Sequence, residues 1–402
     1  MSDAVAPVRE ATHRAPAPLM PPNPPWPRLL TMAFAHFLND LYASFLAPLL
    51  PLVVSKFGLS LTLAGLMGTV FNTSAALSQP FFGLAADRLA KPIFTILGPL
   101  FTVIGMGFVG LASTYPLMLL ILFLTGVGVA SFHPQSFSLA GSLGGERRGT
   151  SLSVFVAGGE LGYALGPLYV APIVGALGLH GTAVAAIPGL AGCLLLWRRA
   201  RAYRAVRTAP PDTLRSDLRQ HGRVLAIIWL IAAVRAIITM SFILFLPLLL
   251  RERGQSLLLG ATAIFLFGGI GAMGGFAGGI LSDRLGRRAI LATSFVLSPP
   301  LLFLFTHTAS GWGMLALALG GMTQYLSAPV NVAMAQELLP RRASLASSVV
   351  TGMAWGSAGV SLTLVGAVAD RIGLTNTLTA ILGLSLIALV CVALLPRQAS
   401  RA

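Results

Sequence analysis

"GILSDRLGRR", residues 279–288, sets a glycine four residues before an Asp–Arg pair and closes on Gly286 and two further arginines. "GLAADRLAK" at 83–91 carries the same pattern 196 residues earlier, and "ERRGTSLS" at 146–153 returns as "PRRASLAS" at 340–347, 194 residues later. A nearly constant offset of that size marks a duplicated architecture, so the chain is read as two copies of one unit.

The residues around these motifs say what the unit is. Of 402 residues, 55% are hydrophobic and only 10% charged, far more apolar material than one soluble core needs. Twelve apolar windows lie near 29–54, 61–84, 93–112, 116–143, 150–178, 181–198, 224–250, 257–282, 289–306, 312–338, 344–370 and 375–395. Each is long enough, as a helix, to cross a hydrocarbon layer of about 30 Å. The expected fold class is all-α integral membrane, with twelve transmembrane helices in two pseudo-symmetric six-helix bundles. The expected division is a disordered cytoplasmic tail over 1–28, an N-terminal bundle over 29–198, a cytoplasmic linker loop over 199–223, a C-terminal bundle over 224–395 and a cytoplasmic tail over 396–402. The proline-rich stretch before residue 28 has no apolar run, which excludes a cleavable signal peptide.

A net charge of +15 invites a nucleic-acid reading, and the placement of the positive residues decides against it. With the N-terminus inside, 22 of the 27 Lys and Arg fall on the cytoplasmic side. Four (Lys56, Arg251, Arg253, Arg371) fall outside, and Arg235 alone lies within a span. That asymmetry is the positive-inside pattern, with both termini in the cytoplasm of a bacterial inner membrane. Cys193 and Cys391 share no metal-ligand spacing, so neither a disulfide nor a metal site is expected, and no cofactor is implied.

The duplicated motif reads as a cytoplasmic gate built from Gly83, Asp87 and Arg88 in one half and from Gly279, Asp283, Arg284, Gly286, Arg287 and Arg288 in the other. Glycine permits close helix approach, and an Asp–Arg pair at a helix end bridges to a neighbouring helix when the mouth is shut. A solvated charge pair is the plainer alternative.

Ionisable side chains at membrane depth are expensive and mark pathways or sites. Helix one carries His36, Asn39 and Asp40 on one face, helix four His133, helix five Glu160, and helix seven Arg235 near mid-membrane. His36, Asp40, His133 and Glu160 are the candidates for proton coupling. Arg235 either pairs with Asp40 in one state or binds an anionic substrate while Asp40 carries the proton; a permanent structural bridge is the alternative. Glu160 reads as a proton site, a contact for a cationic substrate, or a packing residue. Asn39, Asn72, Gln79, Gln135, Tyr163, Gln324, Tyr325, Asn331 and Trp355 are the further candidates for substrate contact. Gly158, Gly162 and Gly166, followed by Pro167, form an i+4 packing stripe, and Gly271, Gly275 and Gly279 a similar one. Pro134 in "VASFHPQSFSLAG" and Pro329 in "LSAPVN" stand 195 residues apart and are expected to bend helices four and ten. His133 sits at the first bend with an unperturbed pKa of about 6.5, as a proton relay or a plain hydrogen-bonding residue.

The gate motif resembles the loop signature of the major facilitator superfamily. "HFLNDLY", "ASFHPQS", "GGELGYALGPL" and "AQELLP" resemble the fosmidomycin-resistance family of drug efflux proteins, although Glu160 stands where that family has a neutral residue. The resemblance implies alternating access and export of small drug-like or phosphonate compounds against protons, and Arg235 suits an anion. Uptake by proton symport is the alternative within the class. An intramembrane hydrolase using His133 with Asp40 or Glu160 is the alternative outside it, without H-E-x-x-H or G-x-S-x-G to support it. No phosphate-cradling G-x-x-x-x-G-K-[ST] loop is present. The expected partners are a small molecule, protons and lipid, with the monomer as the working unit.

Overall fold

A computed structural model describes residues 26–89, 91–144, 148–201, 203, 214–308, 311–339, 346 and 349–395. Among the described residues every regular element is helical. In chain order the rods are α1 (Trp26–Phe57), α2 (Leu61–Arg88), α3 (Ile93–Val109), α4 (Tyr115–Leu143), α5 (Arg148–Leu177), α6 (Gly181–Ala200), α7 (Leu214–Glu252) and α8 (Leu257–Leu285). α9 (Arg287–His307), α10 (Gly311–Tyr325 and Ser327–Leu338), α11 (Val350–Ile372) and α12 (Leu374–Leu394) complete two six-helix bundles. Helix α1 begins at Trp26 and α7 at Leu214, inside stretches expected as tail and linker, because hydropathy marks only the apolar part of a helix that continues beyond the membrane.

Prolines shape these rods unequally. In α1 the helix gives way at Ser44 and Phe45, one turn before Pro48, whose ring excludes the Ser44 carbonyl from the ladder. Helix α10 is likewise interrupted at Leu326, just ahead of Pro329, whereas α4 runs unbroken through Pro134. The helix assignment is thus interrupted near Pro329 and continuous at Pro134.

Small residues bring the helices together. A Cβ on Gly158, Gly162 or Gly166 of α5 would strike the carbonyl oxygens of Ala33, Phe37 and Leu41, so the i+4 stripe lies directly on the α1 backbone. In α8 the contact register differs from the expected one. Gly274 and Gly278 press on the Met322 and Leu326 carbonyls and Gly271 on the Tyr325 ring, while Gly275 and Gly279 leave room for a methyl group.

The halves meet along α2 and α11. The Thr69 hydroxyl donates to the Gly359 carbonyl at 2.7 Å, Gly65 faces the Leu362 backbone, and Gly366 faces that of Leu61. Ala164 on α5 meets Gly269 on α8. These contacts lie toward the end away from the arginine-rich loops and thin out at Gln79 and Gly352. Among the described residues the halves are thus in contact at that end.

Candidate functional site

His36 and Asp40 stand one turn apart on α1, which places both on one helix face. His36 Nε2 lies 3.2 Å from an Asp40 carboxylate oxygen. Its Nδ1 lies 2.9 Å from the Phe155 carbonyl oxygen on α5, and because a carbonyl only accepts, Nδ1 carries a proton. A neutral imidazole has no second N–H. The approach of Nε2 to the carboxylate therefore needs one further proton, on the ring or on the carboxyl. The couple is a one-proton store by construction.

Its surroundings fix that geometry. The Phe155 ring stacks on the imidazole at 4.3 Å, and a Cβ on Gly159 would come within 2.6 Å of the ring, so only glycine leaves it room. The Asn39 amide donates to the other Asp40 oxygen at 2.8 Å and accepts the Thr102 hydroxyl at 3.0 Å. His133 on α4 stands edge-on to His36 at 5.4 Å between ring centroids, its buried Nδ1 without a hydrogen-bond partner.

Across the interface, Arg235 on α7 is 5% exposed and its Nε has no hydrogen-bond partner; none of the ion pairs among the described residues includes it. The Thr239 and Ser241 hydroxyls and both amide atoms of Asn331 are buried and unpartnered too. Glu160 is solvent-exposed and interacts electrostatically with Asp40 and His36 on one side and Arg235 on the other. Among the described residues no acid is in ion-pair contact with Arg235, while Asp40 is held by His36 and Asn39.

Three candidates for substrate contact have structural work instead. Asn39 is fully buried and orients Asp40. Gln135 is buried, accepting the Phe94 and Thr95 N–H groups at the start of α3 and donating to the Lys91 carbonyl. Gln324 accepts the Ser298 hydroxyl at 2.6 Å and donates to the Arg235 carbonyl. Asn72 and Tyr163 do line a small cavity between the halves, and Gln79 and Trp355 are half-buried.

A sequence profile of the Major Facilitator Superfamily matches residues 32–361. The chain belongs to that superfamily. It is a multi-pass membrane transporter, not an enzyme. It is 29% identical over 348 residues to the fosmidomycin resistance protein of Escherichia coli (strain K12), spanning 85% of this chain and 86% of that one. It is 27% identical over 395 residues to the uncharacterised MFS-type transporter YfnC of Bacillus subtilis (94% and 93%), and 27% identical over 316 residues to the multidrug resistance protein MdtG of Citrobacter koseri (73% and 77%). Among solved structures, a bacterial homologue of the human lysosomal transporter Spinster, inward-facing and unoccupied, superposes with a TM-score of 0.79 at 17% identity, covering 91% of this chain and 96% of that one. That likeness bears on the fold alone.

In this transporter the gate motif is tied within one half. Arg287 reaches Asp283 and Glu337 at 2.8 Å each and also contacts Ser282, and Arg288 donates to the Ala393 carbonyl at 3.0 Å. The motif thus pins the ends of α8, α9, α10 and α12 together, with Arg287 in the bridging role expected of Arg284. Gly286 adopts φ +90° between α8 and α9, a conformation that favours glycine. Gly83 and Gly279 face Pro134 and Pro329 at 3.8 Å from their would-be Cβ positions, the same pairing in each half. Arg88 closes α2, and the side chain of Asp87 lies outside the described ones.

Phe155, Gly159 and Thr102 were not legible as site residues, since a carbonyl acceptor and a missing methyl group carry no chemical signature. Asp370 was missed despite a signal: "ADRIG" at 369–373 repeats "SDRLG" at 282–286. Gly373 takes φ +81° and donates to the Ala369 carbonyl as Gly286 does to Ser282.

Proposed function

We propose that this transporter exports small, drug-like anions across the bacterial inner membrane in exchange for protons, by alternating access and as a monomer. The basic end, with both termini, faces the cytoplasm in this reading. The single observation that carries it is the position of Glu160, between a proton-holding His36–Asp40 couple in one half and an unpartnered guanidinium in the other. Export is supported by the relatives whose names denote resistance. Arg235, with no protein counter-ion in contact, suits an anionic group entering from the cytoplasmic side, and the unmet hydroxyl of Thr239, one turn further along the same face of α7, suits its oxygens. Proton occupancy of the first-half couple and substrate occupancy of the second communicate through Glu160, and the halves rock about this mid-membrane site.

The same position of Glu160 favours a second reading. An ionised Glu160 competes with an anion for Arg235, so a proton on Glu160 favours anion binding, which is the logic of symport.

The test uses inside-out vesicles acidified by respiration, with internal pH followed by a quenched dye. Fosmidomycin and a panel of anionic, neutral and cationic compounds are added in turn. Antiport gives dequenching with anions that disappears in Asp40→Asn. Alkalinisation outside intact cells on adding substrate, with no dequenching in vesicles, establishes symport instead.

A further inference from the structure

We propose that His36, Asp40 and His133 form a binding site for a divalent transition-metal ion of the zinc class. No spacing along the chain announces it. The donors come from two helices, and the fold brings one ligand atom of each within 4.8 Å of the others.

The donor set and its geometry both fit. Bonds of about 2.1 Å at tetrahedral angles put donor atoms about 3.4 Å apart, and His36 Nε2 and the Asp40 oxygen already stand at 3.2 Å. His133 completes the set by moving its ring little more than an ångström, and its unpartnered Nδ1 shows that no protein hydrogen bond resists this. Two imidazoles and one carboxylate select zinc-like ions, whereas calcium and magnesium take oxygen donors.

The second ring of contacts is that of a metal-ligating histidine. Nδ1–H of His36 is held by the Phe155 carbonyl at 2.9 Å, which fixes the tautomer and presents Nε2 as the donor. Asn39 holds the other Asp40 oxygen, and Phe132, Phe137 and Phe155 wall the pocket with apolar surface. Three protein ligands leave one coordination position for water.

The consequence for transport rests on the proton-carrying reading given above. An ion bound to Nε2 and the carboxylate occupies the place of the shared proton, so a metal-loaded transporter cannot exchange protons.

Tag-free protein in detergent micelles is titrated with Co2+ while its visible d–d absorption is followed, and Zn2+ is then added. The expected result is one Co2+ per chain, displaced by Zn2+, with affinity at least about tenfold weaker in Asp40→Asn and in His133→Gln and unchanged in His307→Gln. Absence of a saturable band in the wild type, or a band that survives both site variants, overturns the site. Zn2+ added to transporting vesicles is expected to abolish the pH response. Binding in micelles with transport unimpaired at saturating Zn2+ sinks the proton role of the couple and leaves the metal site standing; proton-coupled transport without any metal binding does the reverse.

Discussion

Asp370, the last acid of α11, accepts the Thr62 hydroxyl at 2.5 Å and joins the two halves of the transporter at the end away from the arginine-rich loops. The same carboxylate takes the Leu61 and Thr62 N–H groups at 2.7 and 2.9 Å, so a residue of one half caps the first turn of a helix in the other. The cap exists only while the halves are closed at this end. It is a conformation-dependent bond, placed where α2 and α11 must part for the site to face the other side.

Replacing Asp370 with Ala is therefore expected to favour the alternative state. Loss of an N-cap costs about 0.5–2 kcal/mol, which shifts a two-state balance by roughly two- to thirtyfold. Spin labels at that end of α2 and α11 are expected to show a larger population at long distance in Asp370→Ala and in Thr62→Val. Distance distributions that match the wild type in both variants would remove the latch.

Neighbouring glycines in α8 separate packing from motif. A Cβ on Gly278 falls on the Leu326 carbonyl, whereas one on Gly279 meets only Pro329 at 3.8 Å. Gly278→Ala is expected to destabilise by about 1–3 kcal/mol, seen as lost monodisperse yield after extraction, while Gly279→Ala folds normally. Equal behaviour of the two would mean that α8 packs in the register of the sequence motif after all.

What the sequence disclosed, and what it withheld, follows from how far each interaction reaches along the chain. The duplicated halves, the α5 stripe from Gly158 to Gly166 and the His36–Asp40 turn are periodic, so their spacing alone places them. Gln135 and Gln324 are hydrogen-bonded to groups beyond their own helices, which spacing along the chain does not reveal. The register of the α8 glycines was off by one residue, since Gly274 and Gly278 repeat with the same period as Gly275 and Gly279. The absence of a contact between Asp40 and Arg235 among the described ion pairs depends on the packing of α1 against α7 across the interface, which spacing within either half does not encode.

The couple itself makes a separable prediction. Asp40→Asn keeps the hydrogen bonds to Asn39 within reach but removes the second proton site, so proton-linked transport is expected to fall by a factor of ten or more. Binding of an anion that the vesicle assay shows to be transported, read as a rise in unfolding temperature, is expected to persist because Arg235 lies in the other half. A variant that loses both would assign Asp40 to the substrate.

Arg235 tests the opposite assignment. A buried guanidinium with an unmet Nε is held at a cost, and its truncation removes that cost along with the anion site. Arg235→Met is thus expected to raise the unfolding temperature of the substrate-free protein by about 2–4 °C per kcal/mol gained. The stabilisation by a saturating transported anion, about 2.7 kcal/mol at one hundred times its dissociation constant, is expected to vanish. A residue that serves only as a structural bridge gives the reverse pair of results, with lower stability and ligand stabilisation retained. The two measurements on one variant therefore decide whether the charge at mid-membrane is there for the fold or for the anion.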